Sequence, residues 1–218
     1  MQTLDLSGDR QKSDGYLKSL FWPTVENAWD VDYLGQQGFW LCFIIAVLSF
    51  AFLAFTAYES PNPIGRITVL VLAGIISFVY LVGGMGVRQS SWLAAAFIFT
   101  LYVVNALGSG RPPGILTVII AAVLLSNVRA TFLASRWKPA TEDEDRPMRF
   151  NETFRDKLVD QLPPKLWPIL RIPFFIASGL LLLFLLYVSV VMFLTPHRAK
   201  FNENAVPSVT IHADPDSQ

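Results

Sequence analysis

The chain has 218 residues, of which 53% are hydrophobic and only 16% are charged, with 17 basic and 17 acidic side chains. Soluble globular domains carry about 25% charged residues. This composition therefore excludes a disordered chain, a basic nucleic-acid-binding protein and an ordinary soluble enzyme. The single cysteine, Cys42, excludes an internal disulfide and a metal cluster built from cysteines.

Charged residues are absent from five long stretches, which predict five membrane-spanning helices. Only four charged residues fall within residues 33–128: Glu59, Arg66, Arg88 and Arg111. A bilayer core of roughly 30 Å needs about 20 apolar residues of helix, and the long continuous apolar runs favour helices over barrel strands. We therefore expect an all-α, polytopic integral membrane protein. Its spans are predicted at about 38–58, 67–87, 91–108, 114–133 and 172–194.

Glycine and proline clusters predict the tight connections between these spans. Three glycines within residues 83–86 precede Arg88 and Gln89, and we expect this segment to turn the second span into the third. Residues 108–114 contain three glycines and two prolines and predict the next turn. Because short connections make consecutive helices antiparallel neighbours, the second, third and fourth spans should form an up-and-down bundle.

The basic residues predict the orientation, because cytoplasmic loops next to spans are enriched in Lys and Arg. With the N-terminus inside, 13 basic residues lie on the cytoplasmic side and 4 outside. A cleaved signal peptide is not expected, since the first apolar run follows some 37 residues that include six acids. We expect a multi-pass protein of the bacterial inner (plasma) membrane, with a cytoplasmic N-terminus and an external C-terminus.

A segment before the last span predicts one interfacial amphipathic helix. Phe150, Phe154, Leu158 and Leu162 recur every four residues, which places them on one helical face. The two prolines that follow Leu162 should end this helix. Such a helix can lie in the inner membrane interface or dock on protein, and the spacing fits both.

These patterns divide the chain into five parts. They are a cytoplasmic N-terminal segment (1–37), a four-helix transmembrane bundle (38–133), a cytoplasmic linker with the amphipathic helix (134–171), a fifth transmembrane helix (172–194) and an external flexible tail (195–218). The tail is polar and offers no apolar core, which is typical of disorder.

The predicted spans offer little reactive chemistry. They contain no Asp, Glu, Lys or His, the residues that usually mark function within a membrane. The two histidines lie near the C-terminus and do not have zinc-protease spacing. We therefore expect no catalytic site, no metal site and no cofactor. Neutral polar residues remain as candidates for interhelical or solute contacts: Asn105, Asn127 and Tyr80.

Three functions are compatible with these features. The first is a non-catalytic membrane subunit that scaffolds, anchors or regulates a partner, held in the lipid bilayer with a membrane-protein partner or as an oligomer, and without nucleic acid. The second is a passage or carrier for a neutral or lipid-like solute. The third is a membrane enzyme with a site at the cytoplasmic face, built from Arg155, Asp156, Lys157 and Asp160. A solvated helix face explains those four charges more simply.

Overall fold

The computed structural model describes residue 25 and residues 28–108, 112–136 and 154–194, except for the side chains of residues 28, 29, 154–157 and 192–194. Within these ranges the chain forms five α-helices and no strand, which confirms the all-α prediction. The helices are α1 (Ala28–Glu59), α2 (Pro63–Arg88), α3 (Trp92–Gly108), α4 (Ile115–Arg136) and α5 (Phe154–Leu194).

Four of these helices, α1, α2, α4 and α5, are long and apolar enough to cross a membrane, and α3 is a shorter apolar helix of 17 residues. Their outward faces carry large apolar side chains, such as Phe52 at 69% exposure and Ile172 at 70%. A soluble fold would bury such side chains. The fold is therefore that of an α-helical membrane protein.

Each of the first four helices contacts the next along the chain, and α1 also contacts α4. α5 packs against α2 and α3. Because consecutive helices run antiparallel, the bundle has two ends. We call them the Arg88 end, where α1, α3 and α5 begin, and the Glu59 end, where α2 and α4 begin.

The polar residues at its two ends define α2. At its start, the Asn62 side chain accepts a hydrogen bond from the Ile64 amide at 3.0 Å, and Pro63 occupies the first turn, where its missing N–H is harmless. At its end, Ser90 has a φ of 55°, and the Ser91 amide donates to the Gly86 carbonyl at 2.9 Å. This is the left-handed geometry in which helices commonly finish.

The predicted turn after the second span is present at residues 89–91, but the three glycines that were expected to form it lie inside α2. A Cβ at Gly84 would lie 2.8 Å from Cys42 Cβ in α1, and one at Gly86 would lie 2.6 Å from the Trp167 ring in α5. A Cβ at Gly83 would collide with Ile98 in α3. The glycines thus bring three helices close to α2, as small residues do in membrane bundles.

The predicted end of the amphipathic helix at two prolines was also wrong. α5 continues through Pro163, Pro164, Pro168 and Pro173 as one helix of 41 residues. Proline lacks a backbone N–H and favours a bend in a helix. In membrane proteins it is nevertheless found within helices, because neighbouring groups satisfy the backbone carbonyls that it leaves free.

The first part of α5 packs against the end of the bundle. Val159 and Trp167 are buried, whereas Leu158 is half-buried and Leu162 is 38% exposed. The buried face therefore follows residues 159 and 167 and is shifted by one residue toward the C-terminus from the predicted face at 158 and 162. The structure does not describe Phe150, the Phe154 side chain, the tail 195–218 or residues 1–24. The interfacial location of this helix stays a prediction.

Contacts with α2 define the direction of α5. Trp167 meets Gly86 and Phe174 meets Gly83. As α5 proceeds from residue 167 to 174, its contacts move back along α2 from residue 86 to 83, so this part of α5 runs antiparallel to α2.

Candidate functional site

A buried arginine joins three helices at the Arg88 end. Arg88 Nη1 lies 2.6 Å from Asp32 Oδ1 in α1, and Nη2 lies 2.5 Å from Asp160 Oδ1 in α5. Nη1 also donates to the Asp32 backbone carbonyl at 3.2 Å. The Arg88 side chain is 7% exposed, and the side chains of Asp32 and Asp160 are 22% and 34% exposed. We call these three residues the Arg88 cluster.

The Arg88 cluster is built for holding helices together. The planar guanidinium presents its donors in a fixed fork, and here each prong reaches a carboxylate on a different helix. Its partners lie 56 and 72 residues away along the chain. Sequence reasoning placed Arg88 in a turn and Asp160 either on a solvated helix face or in a cytoplasmic enzyme site. It did not pair them, because nothing local in the sequence does so.

Asn127 lies beside the cluster, where α4 meets α1. Its side-chain amide donates to the Val123 carbonyl at 2.9 Å. Asn127 Oδ1 has no hydrogen-bond partner within the described residues and would lie 2.7 Å from a Cβ at Gly38. Val87 would be equally close to that Cβ. The glycine therefore makes room for the amide, and the contact is one of close interhelical packing.

A cavity of about 270 Å³ lies in the half of the bundle nearer the Glu59 end. We call it the polar cavity, because a hydroxyl or amide from three helices lines it: Ser49 in α1, Tyr80 in α2, and Tyr102 and Asn105 in α3. Apolar side chains complete its wall: Ile45, Phe52, Leu53, Ile76, Leu101, Leu181 and Leu185.

The structure thus brings two of the three predicted polar residues together and separates the third. Tyr80 is 5% exposed and Asn105 is exposed, and both line the polar cavity. Asn127 lies toward the opposite end, beside Gly38. Tyr102 was missed as a member of this group, and the positions of Tyr102 on α3 and Ser49 on α1 carried no signal that they would converge.

Known proteins offer no guide to this arrangement. The chain matches no known protein family, no curated protein sequence and no solved structure. In the part of the chain that the structure describes, no three His, Cys, Asp or Glu side chains are grouped so that they could hold a metal ion. The function has to be argued from the Arg88 cluster, the polar cavity and the surfaces around them.

Proposed function

We propose that this chain is a non-catalytic, multi-pass membrane subunit that scaffolds, anchors or regulates a partner protein. The observation that carries the proposal is the clamped first part of α5. Asp160 ties it to Arg88, and Trp167 is buried against Gly86. A surface held in this way is preformed, so a partner would not have to order it on binding.

The outward side of this segment has a composition suited to docking. Leu162 is 38% and Ile169 is 72% exposed, and Lys165 and Arg171 are exposed beside them. An exposed apolar patch rimmed by polar side chains is typical of surfaces that meet another protein or a membrane. We call this the α5 docking face.

The proposal includes an orientation and a location. We place the N-terminus and the α5 docking face in the cytoplasm and the C-terminus outside, on the strength of the 13 to 4 distribution of basic residues. The membrane that we propose is a bacterial plasma membrane. A reporter fused after Gln218 should be active only outside, and one inserted at Glu144 only inside. The reverse result at both positions would invert the assignment.

Co-purification tests the partner. The protein is extracted in a mild detergent and its companions are quantified by mass spectrometry, with Ile169→Gln compared against Ile64→Gln. The two isoleucines are matched at 72% and 74% exposure but lie at opposite ends of the bundle. We expect a stoichiometric companion that Ile169→Gln depletes and Ile64→Gln leaves in place. A lone protein that drives solute flux in liposomes would refute the proposal.

The other two hypotheses receive different degrees of support. The polar cavity favours a contact with a neutral solute, which is the basis of the carrier hypothesis. The enzyme hypothesis is weaker, because Asp160 is engaged by Arg88. The structure does not describe the side chains of Arg155, Asp156 and Lys157, so it offers no support for an enzyme site built from them.

A further inference from the structure

The polar cavity has a closed inner end and an accessible outer end. Tyr80 and Leu101 are 5% and 1% exposed and form the inner wall, with Leu181 at 6%. Phe52, 69% exposed, and Asn105 lie at the outer rim. A molecule would therefore enter past Phe52 and Asn105, and its leading group would reach Tyr80.

The layer beneath the cavity is tightly packed. One helical turn further toward the Arg88 end, Gly84 lies against Cys42, and Gly83 lies against Ile98 and Phe174. Cys42, Ile98 and Phe174 are fully buried. Since close-packed side chains leave no continuous route for a solute, the cavity ends here. It has the form of a binding pocket, and a passage through the bundle would require this layer to open.

The lining determines which chemistry the pocket can accept. It contains three hydroxyl groups and one amide, and none of its side chains is ionisable at neutral pH. A charged ligand would lose its hydration without a compensating charge, whereas hydroxyl and amide N–H groups can donate to neutral carbonyl oxygens. Because all four of these polar groups can donate, a neutral ligand with acceptor oxygens fits the pocket.

The volume and depth define the size of that ligand. A dry cavity of about 150 Å³ holds a benzene molecule, so about 270 Å³ accommodates one substituted six-membered ring. The rim lies among exposed apolar residues of the spanning helices, so the ligand would arrive from the hydrocarbon and could leave an apolar tail there.

We propose that the polar cavity binds the head group of a neutral, membrane-soluble quinone. Tyr80 donates to a ring carbonyl at the inner end and Asn105 to an oxygen at the rim. The ring fills the space between α1, α2, α3 and α5. This site lies at the opposite end of the bundle from the α5 docking face, so it is independent of the proposed partner.

Direct binding of a radiolabelled decyl-para-benzoquinone to the purified protein in lipid nanodiscs tests this site, with empty nanodiscs subtracted. Tyr80→Phe and Asn105→Leu should each weaken binding about 5- to 10-fold, the effect of losing one hydrogen bond. Tyr187→Phe is the matched control, because Tyr187 is 68% exposed on α5 and does not line the cavity; its binding should equal that of the unmodified chain.

Decylbenzene, which has the ring and tail but no carbonyl, distinguishes a quinone site from a merely apolar one. We expect it to compete at least 10-fold less well than the quinone. Equal competition, or unchanged affinity in Tyr80→Phe and Asn105→Leu, would overturn the proposal. Tyr80→Phe removes a single oxygen, and its unfolding midpoint should match that of Tyr187→Phe, which separates lost binding from lost folding.

Discussion

Replacing Arg88 with leucine tests whether the Arg88 cluster holds the bundle together. The substitution leaves the carboxylates of Asp32 and Asp160 facing each other at the ends of α1 and α5 without the guanidinium that lies 2.6 and 2.5 Å from them. Removing one member of a buried ion pair typically costs 3–5 kcal/mol, because the remaining charge is buried without compensation.

Partial exposure lowers that figure here. The Arg88 side chain is 7% exposed, but the two aspartate side chains are 22% and 34% exposed, so water stabilises part of the charge that is left behind. We therefore expect Arg88→Leu to lower the free energy of unfolding by about 2–4 kcal/mol. The free energy of unfolding of Arg88→Lys should lie between those of the unmodified chain and Arg88→Leu. One ammonium cannot reach both carboxylates as the two guanidinium nitrogens do.

Cys42 provides the assay. It is the only cysteine in the sequence and its side chain is fully buried. A thiol-reactive probe should therefore label it only when the bundle opens. In mild denaturant, a loss of 2 kcal/mol raises the population of open molecules, and hence the labelling rate, by about 30-fold.

Arg66→Leu is the control for the loss of an arginine. Arg66 lies at the opposite end, where its exposed side chain donates to the Ser60 carbonyl at 3.2 Å, so its substitution should change stability by less than about 0.5 kcal/mol. Equal rates of Cys42 labelling in Arg88→Leu and Arg66→Leu would refute the stabilising role of the Arg88 cluster. Replacing Arg88, Asp32 and Asp160 together with leucine should recover part of the lost stability, since no unpaired charge remains.

Two further substitutions test the packing around α2 and α5. Gly86→Ala should destabilise the protein by about 1–3 kcal/mol, because its Cβ would lie 2.6 Å from the Trp167 ring; Gly74→Ala, with nothing within 4 Å, should be neutral or slightly stabilising in the same labelling assay. Phe174→Ala should cost about 3–5 kcal/mol, because a fully buried ring is removed. Phe184→Ala, at 50% exposure on the same helix, should cost less than about 1 kcal/mol, and equal losses would contradict the assigned core.

The presence of the helices follows from the sequence, although α1 begins at Ala28, ten residues before the predicted first span. Uncharged runs predicted helices within 67–87 and 91–108, and the structure has Pro63–Arg88 and Trp92–Gly108. The agreement has a local cause. In hydrocarbon a segment must satisfy its own backbone hydrogen bonds, so length and apolar composition are enough to specify a helix.

The role of single residues was harder to predict. Glycines and prolines signal turns in water, and here Gly83 and Gly86 lie within α2 while Pro163 and Pro168 lie within α5. What decides between a turn and a helix at such residues is whether a neighbouring helix packs against them. Sequence spacing alone does not contain that information.

Only the tertiary structure brought distant polar residues together. Arg88 meets Asp160 across 72 residues, and Tyr80 shares a cavity with Asn105. The sequence determined that the chain lies in a bilayer, because transfer from water to lipid depends on composition along each helix. Which polar side chains meet depends on how the helices are arranged, rotated and tilted, and packing between helices sets those variables.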